Sequence, residues 1–539
     1  MELHNENPFR TKAMASASFK IDKLPFAAAG ASIAELSDQP GIGKGTAERI
    51  HSFLETGTFP ELQALIAKTP VGVMDMLSIK GLGPKKVQVI WEELEIESVG
   101  ELLYACNENR LIQAKGFGLK TQEDIKKAIE FSNANKGFFL YAKVENQAEN
   151  FLNLLKTASP GEQHEITGEF RRKTEIITQL SFLSTASPAS LEQLLAGHPE
   201  FTDVLSADDA LSFEDELGLK YHINTCSAEE FYVQLLLTTG SAEHITQLLA
   251  IQNPLPNLPS EAEIYAALGL DYILPELREG LQEIQWAKSH TLPKLITLED
   301  LKGTVHNHST YSDGVHSLEQ MATYAKDSIG LSYFGICDHS KTAVYANGLS
   351  VDRLQEQWAE IDSLNTKLAP FRIFKGIESD ILSDGSLDYS DDILAQFDFV
   401  VASVHSNLKM DEDKATARLL KAIENPYTTI LGHPTGRLLL SRAGYPLDFK
   451  KIIDACAANQ VVIEVNANPL RLDLDWRWHQ YALQKGVLLS INPDAHRMEG
   501  LGDMRYGIHV ARKGGLTADK CLNAFSLAEI EAFFKSKKK

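Results

Sequence analysis

The second half of the chain alternates short apolar segments with helical ones, and each apolar segment ends in a carboxylate or a histidine. From residue 304 onward there are seven such segments: TVHNHS, LSYFGICDHS, RIFKGIESD, DFVVASVHS, TTILGHP, VVIEVNANP and VLLSINPDAH. Strands that alternate with helices predict a parallel sheet covered by helices. Seven units predict a (βα)7 barrel, and in such barrels the carboxyl ends of the strands form the active face.

The side chains at these strand ends are of the types that bind metal ions. His306 and His308 are two positions apart, so on a strand both point to the same side. A single barrel histidine is as often a packed residue as a ligand, whereas six histidines with three carboxylates at successive strand ends indicate a metal cluster. We predict that divalent ions, manganese, zinc or iron, bind at nine residues: His306, His308, Asp313, His339, Glu378, His405, His433, Asp494 and His496.

Four other residues near these strand ends have less definite roles. Glu464 either orients a ligand or is a structural carboxylate bonded to the backbone. Asp338 is expected to orient its neighbour or to act as a helix cap. His316 and His479 fit no ligand position and are expected in the core or on the surface.

Composition limits the class of protein. A chain of 539 residues is too long for one core, which predicts several domains. With 44% hydrophobic residues, no apolar stretch long enough for a membrane helix and no secretory signal in MELHNENPFRTKAM, we expect a cytoplasmic protein. The five cysteines form no CxxC pair, so we expect reduced thiols and no thiolate zinc site.

Three glycine turns stand out in the first quarter of the chain. The segments PGIGKGTAERI, IKGLGPKKVQVI and AKGFGLKTQEDI each contain Gly-apolar-Gly followed by the start of a helix. The glycines allow a tight turn, and the amides at the next helix N-terminus can bind a DNA phosphate. The alternative is three ordinary connections between helices. The predicted DNA contacts are Gly41, Gly43, Gly81, Gly83, Lys85, Lys86, Gly116 and Gly118.

The net charge restricts where DNA can bind. A formal charge of −21 argues against non-specific binding of nucleic acid by the whole surface, because that binding needs clustered lysine and arginine. Any contact with DNA must therefore be local.

The order of motifs along the chain resembles the bacterial family X DNA polymerases that carry a C-terminal PHP domain. These motifs are the three helix-hairpin-helix turns, GEFRR, TGSAEH, PSEAEIYAALGLDYILPELRE and HNHSTYSDG. The resemblance implies a multidomain α+β and α/β protein. It would have a helical region with 8-kDa-like and fingers-like parts over residues 1–136, a polymerase-like palm and thumb over 137–290, and a PHP phosphoesterase barrel over 300–539. It also implies that Arg171 and Arg172 contact DNA.

The resemblance to PHP phosphoesterases implies two or three divalent ions, with the ligands divided into three sets. The three sets would be His306, His308, Glu378 and Asp494; then Glu378, His405 and His433; then Asp313, His339 and His496. The catalyst would be a metal-bound water with no protein nucleophile, since divalent ions lower the pKa of bound water to near neutral. Arg437, Lys409 and Arg497 are candidates for contact with the substrate phosphate.

The polymerase motif departs from the family at its metal site. The family places two aspartates after the arginine pair and a third on a later strand, and these positions fall here on Gln179, Ser181 and His222. Neutral side chains cannot offset the charge of two divalent cations. We therefore expect the polymerase site to be inactive.

These observations predict a metal-dependent phosphoesterase that acts on DNA, as a 3′–5′ exonuclease, 3′-phosphatase or abasic-site endonuclease in DNA repair. Its partner would be DNA, as single strands, ends, gaps or abasic sites, and we expect a monomer that does not bind membranes. Three alternatives stay open: a small-molecule phosphatase of the histidinol-phosphate type, a non-enzymatic DNA-binding scaffold, and a family X polymerase with residual activity.

Overall fold

The computed structural model describes residues 1–21, 24, 26–107, 110–134, 136–207 and 209–537. It divides into two compact units, Met1–Lys136 and Gly137–Lys539. Among the described helices, none has both the length and the apolar character needed to cross a bilayer.

The first unit is helical. Its α-helices are α1 (Pro8–Ile21), α2 (Ile33–Ser37), α3 (Lys44–Thr56), α4 (Pro60–Ile66), α5 (Val71–Leu77), α6 (Pro84–Glu92), α7 (Val99–Asn107) and α8 (Leu119–Ala134).

The predicted glycine turns precede α3, α6 and α8. The first glycine of each turn, at 41, 81 and 116, has a φ of 85°, 93° and 90°, a conformation that glycine adopts without steric cost. The apolar residue between the glycines is buried in each case, at Ile42, Leu82 and Phe117. The second glycine is the N-cap residue of α3 and of α6, and it has no side chain that could cover the helix amides. The central residue therefore anchors each turn, and the glycines stay at the surface.

The second unit contains the remaining helices and all the described strands. The helices are α9 (Tyr141–Ala158), α10 (Gly168–Arg171), α11 (Pro188–Ala196), α12 (Phe231–Thr239), α13 (Ala242–Ile251), α14 (Glu261–Ala267), α15 (Glu283–Lys288), α16 (Leu318–Asp327), α17 (Val351–Lys367), α18 (Asp391–Leu394), α19 (Glu412–Ile423), α20 (Phe449–Asn459), α21 (His479–Gln484), α22 (Met504–Lys513) and α23 (Leu527–Lys537). The strands are β1 (Phe139–Leu140), β2 (His164–Thr167), β3 (Ile176–Ile177), β4 (Leu180–Ser184), β5 (Phe201–Ser206), β6 (Ala210–Asp215), β7 (Lys220–Thr225), β8 (Gly303–Thr304), β9 (Tyr333–Ile336), β10 (Arg372–Asp380), β11 (Phe399–Ser403), β12 (Ile430–Leu431), β13 (Val462–Asn466) and β14 (Leu489–Asn492).

A five-stranded sheet forms the centre of the region that precedes the barrel. Its order is β2-β4-β7-β6-β5, in which β4 and β7 are parallel and the other neighbours are antiparallel. One face is filled by aromatic rings, with Phe151 of α9 in contact with Phe182, Phe201, Phe213 and Tyr221. A separate pair, β1 and β3, is antiparallel.

The seven predicted strands of the C-terminal half form one parallel sheet in sequence order, from β8 to β14. The sheet is nearly closed, because Asn307 bridges Ala495 in parallel and the His308 amide donates to the Ala495 carbonyl at 2.9 Å. Every residue of β9, β11 and β13 is buried, as expected for parallel strands covered on both faces. The predicted (βα)7 barrel is confirmed.

Apolar side chains fill the barrel away from the polar strand ends. Val305, Tyr333, Phe374 and Val401 belong to one buried cluster, and α23 closes it with Phe534 stacked on Phe399 at 5.0 Å between ring centres. The barrel is thus a packed core that leaves its carboxyl-terminal end for functional side chains. The five cysteines are free thiols, four of them buried.

Candidate metal centre

The nine predicted ligands lie at or just beyond the carboxyl ends of the barrel strands. The strands that supply them are β8 for His306, His308 and Asp313, β9 for His339, β10 for Glu378, β11 for His405, β12 for His433, and β14 for Asp494 and His496. His433 and Asp494 have φ of 21° and 52°. Positive φ outside glycine is held only where the surrounding structure enforces it, which is common at functional sites.

Glu378 is the centre of this group, and its side chain is 1% exposed. Five imidazole nitrogens approach its carboxylate oxygens: those of His306 at 3.3 Å, His308 at 3.6 Å, His339 at 3.0 Å, His405 at 3.1 Å and His433 at 3.0 Å. A carboxylate shared by this many histidines can bridge cations.

Three overlapping groups have ligand atoms within 4.8 Å of one another: His308, Asp313, His339 and His496; His306, His308 and Asp494; and His339, Glu378 and His405. Eight of the nine predicted residues belong to these groups, and the ninth, His433, contacts Glu378.

Several buried atoms of this cluster have no hydrogen-bond partner among the described residues. They are Nε2 of His306, both ring nitrogens of His308, Nδ1 of His433 and Oε2 of Glu378. Buried polar atoms without partners are rare in proteins because each costs about 1–3 kcal/mol. Divalent cations would satisfy them, and imidazole and carboxylate suit manganese, zinc or iron, so the residues fit the predicted ions.

The pKa values of the two strand-end histidines shift in opposite directions. Burial lowers the pKa of His306, but Glu464, Glu378 and Asp494 outweigh it and hold that pKa well above its ordinary value. Burial and two neighbouring histidines lower the pKa of His308 to about 3. His308 therefore presents a neutral imidazole, which is the form that binds metal ions.

Two buried carboxylates orient ligand rings from behind. Oε1 of Glu464 lies 2.7 Å from Nδ1 of His306, and its Oε2 accepts the His433 amide at 2.8 Å. Oδ1 of Asp380 lies 2.6 Å from Nδ1 of His405. A carboxylate that accepts one imidazole N–H leaves the other nitrogen for a metal ion. Of the two roles left open for Glu464, the contacts favour ligand orientation.

Asp380 was missed by the sequence analysis, although a signal existed. It follows Glu378 by two positions on β10, so both side chains lie on the same side of the strand. Asn466, also missed, follows Glu464 by two positions and donates to Oδ2 of Asp494 at 3.1 Å.

Asp338 organises the loop that carries Asp313. Its carboxylate accepts from the amides of Ser309 and Ser312 at 2.8 and 3.1 Å and from both serine hydroxyls. The two histidines outside the ligand pattern, His316 and His479, are buried core residues at 4% and 0% exposure.

The cations predicted to contact substrate phosphate differ in their surroundings. Lys409 and Arg497 are exposed in the loops that follow His405 and His496. The guanidinium of Arg437 is instead engaged by Asp475 at 2.6 Å and by two backbone carbonyls. These contacts favour a structural role for Arg437 over the predicted contact with substrate.

The three positions at which the resemblance places the polymerase aspartates lie close together. Ser181 on β4 is paired with His222 on β7, and Nε2 of Gln179 donates to the Ser181 hydroxyl at 3.1 Å. The carboxylates of two nearby residues, Glu169 and Glu175, form hydrogen bonds to other groups. Glu169 accepts from the amide and hydroxyl of Thr178 at 2.7 and 2.9 Å, and Glu175 pairs with Arg477 of the barrel at 2.8 Å.

The arginine pair of GEFRR is bound within the protein. Arg171 forms two hydrogen bonds to Glu261, at 3.0 and 2.7 Å, and Arg172 pairs with Glu279 at 3.0 Å. Both also contact Thr239 of the TGSAEH motif. Arg171 and Arg172 thus each bind a carboxylate of the same region, and their contact with DNA phosphate stays a prediction.

Two kinds of comparison define the class of protein. A SAM-like helix-hairpin-helix tandem model matches residues 5–56 and 73–130. Two curated probable phosphatases match part of the chain. One, from Thermoanaerobacter sp. (strain X514), is 28% identical over 33% of this chain and 73% of its own length. The other, from Vibrio campbellii, is 27% identical over 41% of this chain and 88% of its own length. With the barrel, these matches define a helix-hairpin-helix protein with a PHP-type (βα)7 barrel.

One relative extends over both units. The DNA polymerase/3′–5′ exonuclease PolX of Bacillus subtilis is 35% identical over 99% of this chain and 97% of its own length. The chain belongs to the PolX family.

Proposed function

We propose that this protein is a divalent-metal-dependent phosphoesterase that hydrolyses phosphate esters of DNA at the barrel. Its reactions would be those of a 3′–5′ exonuclease, a 3′-phosphatase or an abasic-site endonuclease, in the service of DNA repair. The observation that carries the proposal is the buried carboxylate of Glu378 with five histidine rings around it.

The proposed ligand sets are those that the resemblance to PHP phosphoesterases implies, and the short distances among the nine residues support them. His306, His308 and Asp494 would hold one ion together with Glu378, which would also bind a second ion with His405 and His433. The third ion would be held by Asp313, His339 and His496. When bound, such ions activate water for attack on phosphorus and offset charge on the phosphoryl oxygens.

The surrounding residues would keep the ligands in place between turnovers. Glu464 and Asp380 each accept an imidazole N–H, which fixes the tautomer and the ring orientation of His306 and His405. Asp338 holds the loop of Asp313 through four donors from Ser309 and Ser312, and it also accepts a hydrogen bond from Gln357 of α17. The cluster would thus be preorganised for its ions.

DNA is the proposed substrate because of the first unit. Exposed backbone at the glycine turns before α3, α6 and α8 provides amides that can bind phosphate without reading sequence. Lys85 and Lys86, in the first turn of α6, would add charge to one of these sites. The helix-hairpin-helix match over residues 5–56 and 73–130 and the PolX relative support this half of the proposal.

We further propose that the polymerase-like region, residues 137–290, does not transfer nucleotides. Gln179, Ser181 and His222 have no negative charge to hold two divalent cations. Their polar atoms bind one another and neighbouring strands, with Nδ1 of His222 2.8 Å from the Ser212 hydroxyl.

A small-molecule phosphatase is the second candidate, because the relatives that match a third of the chain are named as probable phosphatases. The test compares rates on four substrates with Mn²⁺: 3′-labelled single strands, 3′-phosphorylated ends, abasic duplexes and histidinol phosphate. We expect DNA to be hydrolysed with the higher kcat/KM. Faster turnover of histidinol phosphate than of every DNA substrate would reject the proposal in favour of the second candidate.

A further inference from the structure

Arg471 is an arginine near the metal cluster for which the proposed function has no role. Its Nε lies 3.6 Å from Oδ2 of Asp494, a predicted ligand, and its side chain is 17% exposed. Its Nη1 is buried and has no hydrogen-bond partner among the described residues. The positive charge of Arg471 would be repelled by metal ions bound in the cluster unless an anion lies between them. A phosphate ester is such an anion, and a guanidinium binds it through charge-assisted hydrogen bonds.

The backbone of Arg471 is held from the side of the cluster. Arg437 donates from Nε to the Arg471 carbonyl at 2.8 Å and from Nη2 to the Leu472 carbonyl. The carboxylate of Asp473 accepts from both the amide and the hydroxyl of Thr435 at 2.8 Å. The segment that follows His433 therefore fixes the loop that carries Arg471.

The same loop is held from the polymerase-like region. Asp475 accepts from Arg437 at 2.6 Å and from Arg477 at 3.0 Å. Arg477 in turn donates to Oε1 of Glu175 at 2.8 Å, and Nε1 of Trp476 donates to Oε2 of Glu175 at 3.0 Å. A continuous set of charged contacts runs from Glu175 to the backbone of Arg471.

Glu175, at one end of this set of contacts, is a buried carboxylate. Its side chain is 8% exposed. Burial alone would raise its pKa, but Arg477 outweighs that effect and the pKa is lowered. A buried carboxylate with two donors is costly to disturb, because its removal leaves the opposite charge without a partner.

We propose that Arg471 binds the phosphate of the substrate and that Glu175 positions it from the polymerase-like region, through Arg477, Asp475 and Arg437. The inference rests on the proposed function and extends it to two residues. A guanidinium recognises phosphate only when its planar donors are correctly placed. Glu175, which lies next to the GEFRR motif, would supply that placement for Arg471.

The first test concerns Arg471 in the full-length protein. With a 3′-phosphorylated oligonucleotide and Mn²⁺, Arg471→Ala is expected to lower kcat/KM by about tenfold or more, and Arg471→Lys by less. Metal content should equal that of wild type. The rise in Tm that inorganic phosphate gives the Mn²⁺-loaded protein should be lost in Arg471→Ala.

The second test concerns positioning. Glu175→Gln keeps the shape of the side chain but removes its charge, and is expected to lower kcat/KM about threefold in wild type and not at all in the Arg471→Ala background. The matched control is Glu145→Gln, since Glu145 also contacts the barrel, through Tyr506 and Arg505 at 3.0 Å, but does not touch the loop of Arg471. This control should keep wild-type kinetics.

Three results would overturn the inference. The first is an Arg471→Ala variant with wild-type kcat/KM, and the second is an Arg471→Ala variant that loses its metal ions. The third is a double variant in which Glu175→Gln and Arg471→Ala each lower kcat/KM by the same factor as they do alone. A wild-type protein without Mn²⁺-dependent hydrolysis of any phosphate ester would instead reject the proposed function, and the inference with it.

Discussion

Nδ1 of His306 lies 2.7 Å from Oε1 of Glu464, and both side chains are fully buried. The contact joins His306, which follows β8, to Glu464 on β13, the fifth strand after β8 in the sheet. It holds a proton on Nδ1 and orients the ring so that Nε2 faces Glu378 and Asp494 at 3.3 and 3.6 Å. The proposed metal cluster would therefore depend also on residues that do not touch an ion.

Substitution of Glu464 should weaken metal binding. Without the acceptor, His306 loses its fixed orientation, so Glu464→Ala is expected to lower the affinity for Mn²⁺ about 10- to 100-fold. Elemental analysis after dialysis against graded Mn²⁺ measures the change. Glu499→Ala, at an exposed position, is the control, and unchanged metal content in Glu464→Ala would contradict the role of this contact.

Lys85 is predicted to contact DNA phosphate. Lys85→Ala should weaken binding of duplexes of unrelated sequence to a similar extent and reduce the slope of log K against log salt by about 1. Fluorescence anisotropy at several salt concentrations gives both quantities. Lys68, which is exposed but distant in sequence from the glycine turns, supplies the control variant. An equal loss in Lys68→Ala would show that the effect is only one of net charge.

The polymerase-like region should not extend a primer. We expect no nucleotide addition with Mg²⁺ or Mn²⁺ on gapped or recessed DNA, because Gln179, Ser181 and His222 lack carboxylates. The PolX protein of Bacillus subtilis, which is named as a DNA polymerase, is the positive control. Template-dependent extension by this chain would refute the expectation.

His244 of the TGSAEH motif should be important for stability. It is fully buried, with Nδ1 2.7 Å from Glu283 and Nε2 2.8 Å from the Tyr265 hydroxyl. His244→Ala removes a donor from the buried Glu283 carboxylate, which keeps the Gly280 amide, and leaves the buried Tyr265 hydroxyl without its His244 contact. The change should cost about 3 kcal/mol of unfolding free energy. Urea unfolding at fixed metal concentration tests this. The half-buried His198, which pairs with Glu200 at 2.9 Å, should tolerate the same change with little loss.

The sequence was most informative where the pattern was periodic. Each strand of the barrel ends close to a carboxylate or histidine, so the clustering of these side chains at one end of a parallel barrel could be predicted without coordinates. Asp380 could also have been found, because it lies two positions after Glu378 on the same strand.

Contacts between distant loops could not be predicted. Arg437 and Arg471 both follow barrel strands, and only the folded loop shows that carbonyl oxygens engage the former while Nη1 of the latter has no hydrogen-bond partner among the described residues. Glu175 and Arg477 are 302 positions apart, and no local pattern indicates that they pair. The sequence therefore predicted the types of chemical group at the site better than it predicted which cations face it.

The most direct test of the account is the metal content of the purified protein, measured together with Mn²⁺-dependent hydrolysis of 3′-labelled and abasic DNA, for wild type and His306→Ala. We predict two or three bound divalent ions and DNA hydrolysis in wild type, with both reduced in His306→Ala. A wild-type protein without bound transition metal, or a His306→Ala variant that hydrolyses DNA at the wild-type rate, would contradict the claim that the barrel is a metal-dependent DNA phosphoesterase.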